Sequence, residues 1–283
     1  WDQISPDLTR KTWQVPKNVG VYAPAPEAQP TQRGVIYTIA PSYLDEQTIW
    51  AGTDADTALA AQKGKTPANK PPRLMARLIA ESPEPVALVP IGPLTNIALL
   101  IRGFPHLAPK IAHICLMGGS IGEGNSSASA EFNIYADPTA ADVVFNSGLP
   151  ITMIGLDVTH HATLDRRILK RLAALPGASA KVAAEVLEFA FERSAAWGQG
   201  ERMAIHDAVA VLHLALPDLV GVARYHVTVD ATSGPARGRT IGDASPYRLA
   251  RDRREAACDV GLTIDPVRFA DLIVEAYEIG RAS

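Results

Sequence analysis

From residue 72 onward, short apolar runs alternate with stretches whose apolar residues recur at helical spacing. The strand-like runs are Val86–Ile91, Ile111–Met117 and Ile151–Leu156, each flanked on at least one side by glycine or proline. Helical spacing covers Pro72–Ser82, a stretch ending near Arg102, Thr139–Phe145, residues 164–175 and 178–197, His206–Leu216 and Pro266–Ile279. The tail adds strand-like Tyr225–Val229, Thr240–Ile241 and Asp259–Ile264. Continuous apolar runs mark strands buried on both faces, and strands separated by crossover helices pair in parallel. The expected fold is therefore α/β, a mostly parallel sheet with helices on both faces.

The first 71 residues lack this rhythm. A short helix from Ser5 to Trp13 and strands at Val19–Tyr22 and Gly34–Ile39 are expected, with loops at Ala23–Arg33 and Lys63–Pro72. The contrast divides the chain into an N-terminal region, 1–73, and an α/β region, 74–283, expected to form one structural domain together.

Composition changes this picture little. The chain has 283 residues, 47% hydrophobic and 20% charged, as in ordinary globular enzymes. A net charge of −3 leaves no electrostatic footprint for nucleic acid or an acidic membrane. The densest cationic stretch, Arg248–Arg254, is interrupted by Asp252 and reads as a solvated loop. Two cysteines, Cys115 and Cys258, make no disulfide framework, and no apolar run reaches membrane-spanning length. A cytoplasmic protein with no nucleic-acid or membrane partner is expected.

Candidate chemistry concentrates after Ile111–Met117. Gly118-Gly119-Ser120-Ile121-Gly122-Glu123-Gly124-Asn125 leads through Glu131-Phe132-Asn133 to Asp137-Pro138, a helix start. In open α/β sheets, ligands sit at the carboxyl ends of strands. Asn125, Glu131 and Asn133 offer the mixed donors and acceptors that a polyhydroxylated ligand needs, although asparagines also cap turns. His206-Asp207 opens an apolar helix. The aspartate can serve as a favourable helix-start charge or as a metal or hydroxyl ligand, with the histidine as a proton donor. His160-His161 has no partner at metal-binding spacing and reads as structural. A dinucleotide fingerprint, a P-loop and a nucleophile elbow are all missing from the sequence, which disfavours a Rossmann dehydrogenase.

Taken together, these segments resemble the inosine-uridine-preferring nucleoside hydrolases. The resemblance is carried by Val89-Pro90-Ile91-Gly92-Pro93-Leu94-Thr95-Asn96-Ile97-Ala98, Leu116-Met117-Gly118-Gly119 and Ala130-Glu131-Phe132-Asn133-Ile134-Tyr135-Ala136-Asp137-Pro138. Gly155-Leu156-Asp157-Val158-Thr159-His160, His206-Asp207 and Ser233–Thr240 follow in fitting order, so that it spans residues 74–279. It implies a Rossmann-like nucleoside hydrolase fold and a salvage hydrolase, a glycosidase that cleaves ribonucleosides to ribose and free base with a Ca²⁺-activated water. It further implies Asp207 and the Ile91 carbonyl as Ca²⁺ ligands and His206 as the group assisting departure of the base. Asn125, Glu131 and Asn133 are implied to bind ribose hydroxyls, with Met117, Phe132 and Trp197 beside the substrate. A homodimer or homotetramer is implied by the same resemblance.

One family feature has no counterpart in residues 1–73. The Asp-x-Asp-x-x-x-Asp-Asp cluster that supplies the base and most metal carboxylates is not found; Asp54-Ala55-Asp56 is only a weak stand-in. Asn18–Pro26 resembles the family's third-strand region, and Trp1 stands where a methionine is usual. The expectation is a chain beginning after the first βα unit. An alternative follows: an impaired or inactive homologue that only binds nucleoside or ribose.

Overall fold

The apolar runs become the strands of one sheet in a computed structural model that describes residues 49–51, 70–196 and 202–279. In chain order the elements begin with β1 (Ile49–Ala51), α1 (Lys70–Glu81), β2 (Val86–Pro90), α2 (Thr95–Gly103) and β3 (Ile111–Met117). Next come α3 (Phe132–Ala136), α4 (Pro138–Phe145), β4 (Ile151–Ile154), α5 (Leu156–Thr159), β5 (Thr163–Asp165), α6 (Arg166–Ala174) and α7 (Ala178–Ala196). The rest are β6 (Arg202–Ala204), α8 (Asp207–Ala215), β7 (Val220–Val229), β8 (Thr240–Asp243), α9 (Pro246–Asp252), β9 (Cys258–Ile264) and α10 (Pro266–Ile279).

The described sheet runs β1-β2-β3-β4-β9-β7-β8. β1 to β4 and β9 pair in parallel, whereas β7 is antiparallel to both β9 and β8. The mostly parallel expectation thus holds, with an antiparallel edge.

Side chains alternate between two apolar layers because successive strand residues face opposite ways. Ile114 and Leu116 of β3 and Ile151 and Met153 of β4 join α1, α2 and α4 in one layer. Cys115, Met117 and Ile154 join α5, α6, α8 and α10 in the other. Helices therefore cover both faces. Their starts are capped as the sequence directs: Asp137 accepts from Ala140 N–H, and Asp165 from Arg167 and Ile168 N–H.

Several places depart from the sequence reading; the strand read through Leu156 ends at Ile154, with Leu156 opening α5, and the strand read from Tyr225 begins at Val220. Residues 70–72, read as loop, open α1. The connection after Gly118 contains the one-turn helix α3, which is too short to show periodicity. The start of the stretch 164–175 is a strand, β5, paired antiparallel with β6. Arg248–Arg254 is not a plain loop: most of it lies in α9, and Arg248 and Arg254 pair with Asp243 while Arg251 and Arg254 pair with Asp252. The strands expected at Val19–Tyr22 and Gly34–Ile39, the helix at Ser5–Trp13 and the aspartates Asp54 and Asp56 lie outside the described residues.

Candidate functional site

Three parallel strands, β2, β3 and β4, end on one side, and the connections leaving them meet there. The turn after β3 is held by its neighbours on both sides. Gly118 N–H donates to the Ile154 carbonyl (3.1 Å), and Leu156 N–H donates to the Gly119 carbonyl (2.9 Å). Gly119 has φ +78°, and a Cβ there would come within 2.8 Å of Met153 Sδ and 3.1 Å of Thr240. Both facts demand glycine. Gly119→Ala is expected to cost about 2–3 kcal/mol, seen as a lower urea midpoint with an unchanged slope.

The next residues are tied down by two side chains from distant segments. Thr240 Oγ1 accepts from Ser120 N–H (2.8 Å) and donates to the Ser120 carbonyl (2.6 Å). Asp157 accepts from Ile121 N–H (2.8 Å) and Gly122 N–H (3.0 Å), with Ser120 Oγ at 3.3 Å. Beyond this the chain closes on itself. The Ala130 carbonyl accepts from the N–H groups of Asn125, Ser126 and Ser127, and a Cβ on Gly124 would collide with the backbone of Ser127 and Ala130.

Glu131 is the buried centre of the loop. Its carboxylate accepts from Gly119 N–H (2.9 Å), Asn133 N–H (2.9 Å) and Ile134 N–H (3.2 Å), so it caps α3 and anchors the glycine turn together. Burial pushes its carboxyl up; the three N–H donors act against that shift, and the charge of Asp207 adds to it. α8 packs against β3, the strand that leads into this loop, where Cys115 Sγ lies 3.3 Å from the Ala210 carbonyl. Asn133 Nδ2 donates to the Met117 carbonyl (3.0 Å) and approaches the Ile91 carbonyl (3.4 Å), linking the ends of β3 and β2. Asn125 Oδ1 accepts from Phe132 N–H (2.9 Å). Phe132 is 46% exposed, whereas Met117 is buried.

The facing wall belongs to the start of α8. Asp207 still reaches solvent, yet the protein packed around it pushes its carboxyl up to about 6. Burial, then the neighbouring His160, lower the pKa of His206 and favour a neutral ring. His206 Nδ1 lies 2.8 Å from Thr159 Oγ1, and the His160 ring sits edge-on to it, 5.8 Å between centroids. His160 thus packs against His206, a contact compatible with the structural role read from the sequence.

Of the residues singled out in the sequence, Ile91, Met117, Asn133, Glu131, Phe132 and Asn125 form one hydrogen-bonded group, with His206 and Asp207 across from it. Trp197 lies outside the described residues. Sequence reasoning did not assign Asp157, Thr159 and Thr240 a role. All three stand in the quoted family-like segments, but none is near the glycine loop in sequence. Among the described residues, no group of three or more His, Cys, Asp or Glu side chains could hold a metal ion. Asp207 and the Ile91 carbonyl would supply two oxygens, where Ca²⁺ takes six to eight.

Comparison with known proteins identifies the family. The profile described as inosine-uridine preferring nucleoside hydrolase matches residues 13–271, beginning well upstream of residue 74. The chain belongs to this nucleoside hydrolase family. Among its relatives is a protein of Shewanella baltica strain OS155, named pyrimidine-specific ribonucleoside hydrolase RihA. It is 42% identical over 208 residues, which is 73% of this chain and 64% of that relative. A protein of the same name from Shewanella sp. strain MR-7 is 38% identical over 253 residues, 88% of this chain and 78% of its own length. Among solved structures, the purine-preferring ribonucleoside hydrolase from Gardnerella vaginalis superposes with a TM-score of 0.64 at 33% identity. That match covers 72% of this chain and 63% of the other. The chain thus spans less than two thirds of the first of these relatives and of the solved structure. Among the described residues, no helix is long and apolar enough to cross a membrane.

Proposed function

We propose that this nucleoside hydrolase-family chain cleaves the N-glycosidic bond of ribonucleosides, giving ribose and free base. The observation that carries the reading is the pairing of a rigid, polar loop around Glu131 and Asn133 with His206 and Asp207 opposite, at the carboxyl ends of parallel strands. After their backbone bonds are made, the loop side chains keep unused capacity among the described residues: the amide of Asn125, Oδ1 of Asn133 and a lone pair on Glu131. Such a mixture suits vicinal hydroxyls, each of which both donates and accepts. The relatives named pyrimidine-specific support pyrimidine ribonucleosides as the first substrates to test.

In the reaction, water supplies a hydroxyl to ribose C1′ and, overall, a proton to the base. The C1′–N bond breaks and its electron pair leaves with the base. In this reading His206 passes a proton to that base or hydrogen-bonds it, which stabilises charge developing on the leaving group. Glu131, fixed by three N–H donors, needs no rearrangement to meet a ribose hydroxyl. Asp207 is an unpaired, partly desolvated carboxylate among the described hydrogen bonds, a chemistry that fits one ligand of a divalent cation; the Ile91 carbonyl would be the second. Bound there, Ca²⁺ would orient ribose hydroxyls and water and lower the pKa of that water. The reading extends to a cytoplasmic salvage enzyme acting as a homodimer or homotetramer, the oligomer supported by family resemblance alone.

A second reading, a homologue that binds nucleoside or ribose without cleaving it, is favoured by the small number of carboxylates grouped among the described residues. The two separate in phosphate-free buffer with uridine, cytidine and inosine. Equal amounts of reducing sugar and free base support hydrolysis. A rise in melting temperature with ribose but no product supports binding alone.

A further inference from the structure

Thr159 and His206 are 47 residues apart, yet they share a 2.8 Å contact behind the site. Thr159 is fully buried, so its hydroxyl proton needs an acceptor within the protein. The usual alternative, the carbonyl one turn back, belongs to Gly155 and already accepts from Val158 N–H (3.2 Å) and Thr159 N–H (3.0 Å). Among the described bonds, only His206 Nδ1 remains. A neutral imidazole carries one proton; if Nδ1 accepts from the hydroxyl, that proton must be on Nε2.

We infer that Thr159 is a positioning residue that donates to His206 Nδ1, fixing the tautomer whose Nε2–H faces the departing base. This rests on the ribohydrolase reading. The edge-on ring of His160 packs against the same imidazole and limits its rotation. The consequence is confined to leaving groups that depart poorly without a proton, because Thr159 touches neither ribose nor metal in this scheme.

The test compares the full chain with Thr159→Val, which keeps the shape, and Thr159→Ser, which keeps the hydroxyl. On uridine, kcat of the valine variant is expected to fall about 10- to 100-fold with KM little changed, the loss of one hydrogen bond aligned with developing charge. On a riboside that releases 4-nitrophenolate, stable without a proton, kcat should change less than about threefold. Serine should restore uridine turnover. Nitrogen-15 spectra of histidine-labelled protein, with His206 assigned by His206→Gln, should show a single Nε2–H form in the wild type and the serine variant and a mixture in the valine variant. An equal loss on both substrates, or an Nδ1–H ring in the wild type, overturns the inference. If the wild type cleaves neither substrate, the ribohydrolase reading fails by itself, and the spectra alone decide whether Thr159 orients His206.

Discussion

Asp207→Asn is expected to lower ribonucleoside turnover by about 10²–10³-fold or more, while making the metal-free protein harder to melt at neutral pH. The two effects have one cause. Packing around Asp207 pushes its carboxyl from an ordinary 3.8 up to about 6, because the protein atoms around it penalise the charged form. A folded-state pKa above the unfolded value means that the folded chain holds the proton more tightly. The associated stability is complete below about pH 3.8 and is lost as the pH rises through about 6. At pH 7.5 the aspartate is therefore ionised at a cost to the fold, and asparagine removes that cost. Because water still reaches the side chain, screening reduces the gain to about 1 kcal/mol, or about 2–4 °C. The difference in melting temperature between variant and wild type should be smallest near pH 4 and open between pH 5 and 7. Calcium should narrow it by raising the wild type alone. A variant that melts lower than the wild type at pH 7.5 without metal would contradict this account.

Glu131→Ala is expected to be the most damaging single truncation in the loop. Glu131 receives three backbone N–H groups from two different segments, the glycine turn and the first turn of α3. Alanine would leave Gly119, Asn133 and Ile134 N–H without their acceptor in a buried place. Each unmet donor costs about 1–3 kcal/mol, partly recovered where the loop opens to water, so a loss of about 3–5 kcal/mol is expected. Glu131→Gln keeps one acceptor oxygen but turns an NH₂ group towards an N–H donor, and should lose roughly half as much. Urea unfolding gives both values. Backbone hydrogen exchange should rise at Gly119 and Ile134 in the alanine variant while the β3 interior stays protected. Unchanged exchange at Gly119 would show that the carboxylate does not anchor the turn.

The βα rhythm was legible because it depends on local pattern. Ile111–Met117 and Pro266–Ile279 appear in the structure with the expected ends, since apolar runs and helical spacing reflect burial directly. The first loop half of the site was legible for a related reason: Glu131 and Asn133 lie within a few residues of one another. What could not be read from spacing were contacts made across the fold. Thr240 meets Ser120 from 120 residues away, and Asp157 reaches Ile121 from 36 residues away. Nothing local distinguishes such a threonine or aspartate from a surface one. The β5–β6 pair was missed because three-residue strands carry too little alternation, and the cationic stretch at 248–254 was misread because one of its two partners, Asp243, precedes it on a strand rather than along the same helix. The roles implied for Asn125, Glu131 and Asn133 acquired a second aspect in the structure. Each one bonds backbone, and the ligand contacts proposed for them fall to the side-chain atoms left over.

Ribonucleoside cleavage by this chain is decided by release of free base and ribose from uridine, measured with the full wild-type chain at high enzyme concentration while Ca²⁺ is varied from chelator-treated to millimolar. Equimolar ribose and uracil are expected, at a rate that saturates with Ca²⁺ and is lost in Asp207→Asn. No ribose from uridine, cytidine or inosine at millimolar Ca²⁺, or a rate that Asp207→Asn leaves unaltered, would contradict the proposed function.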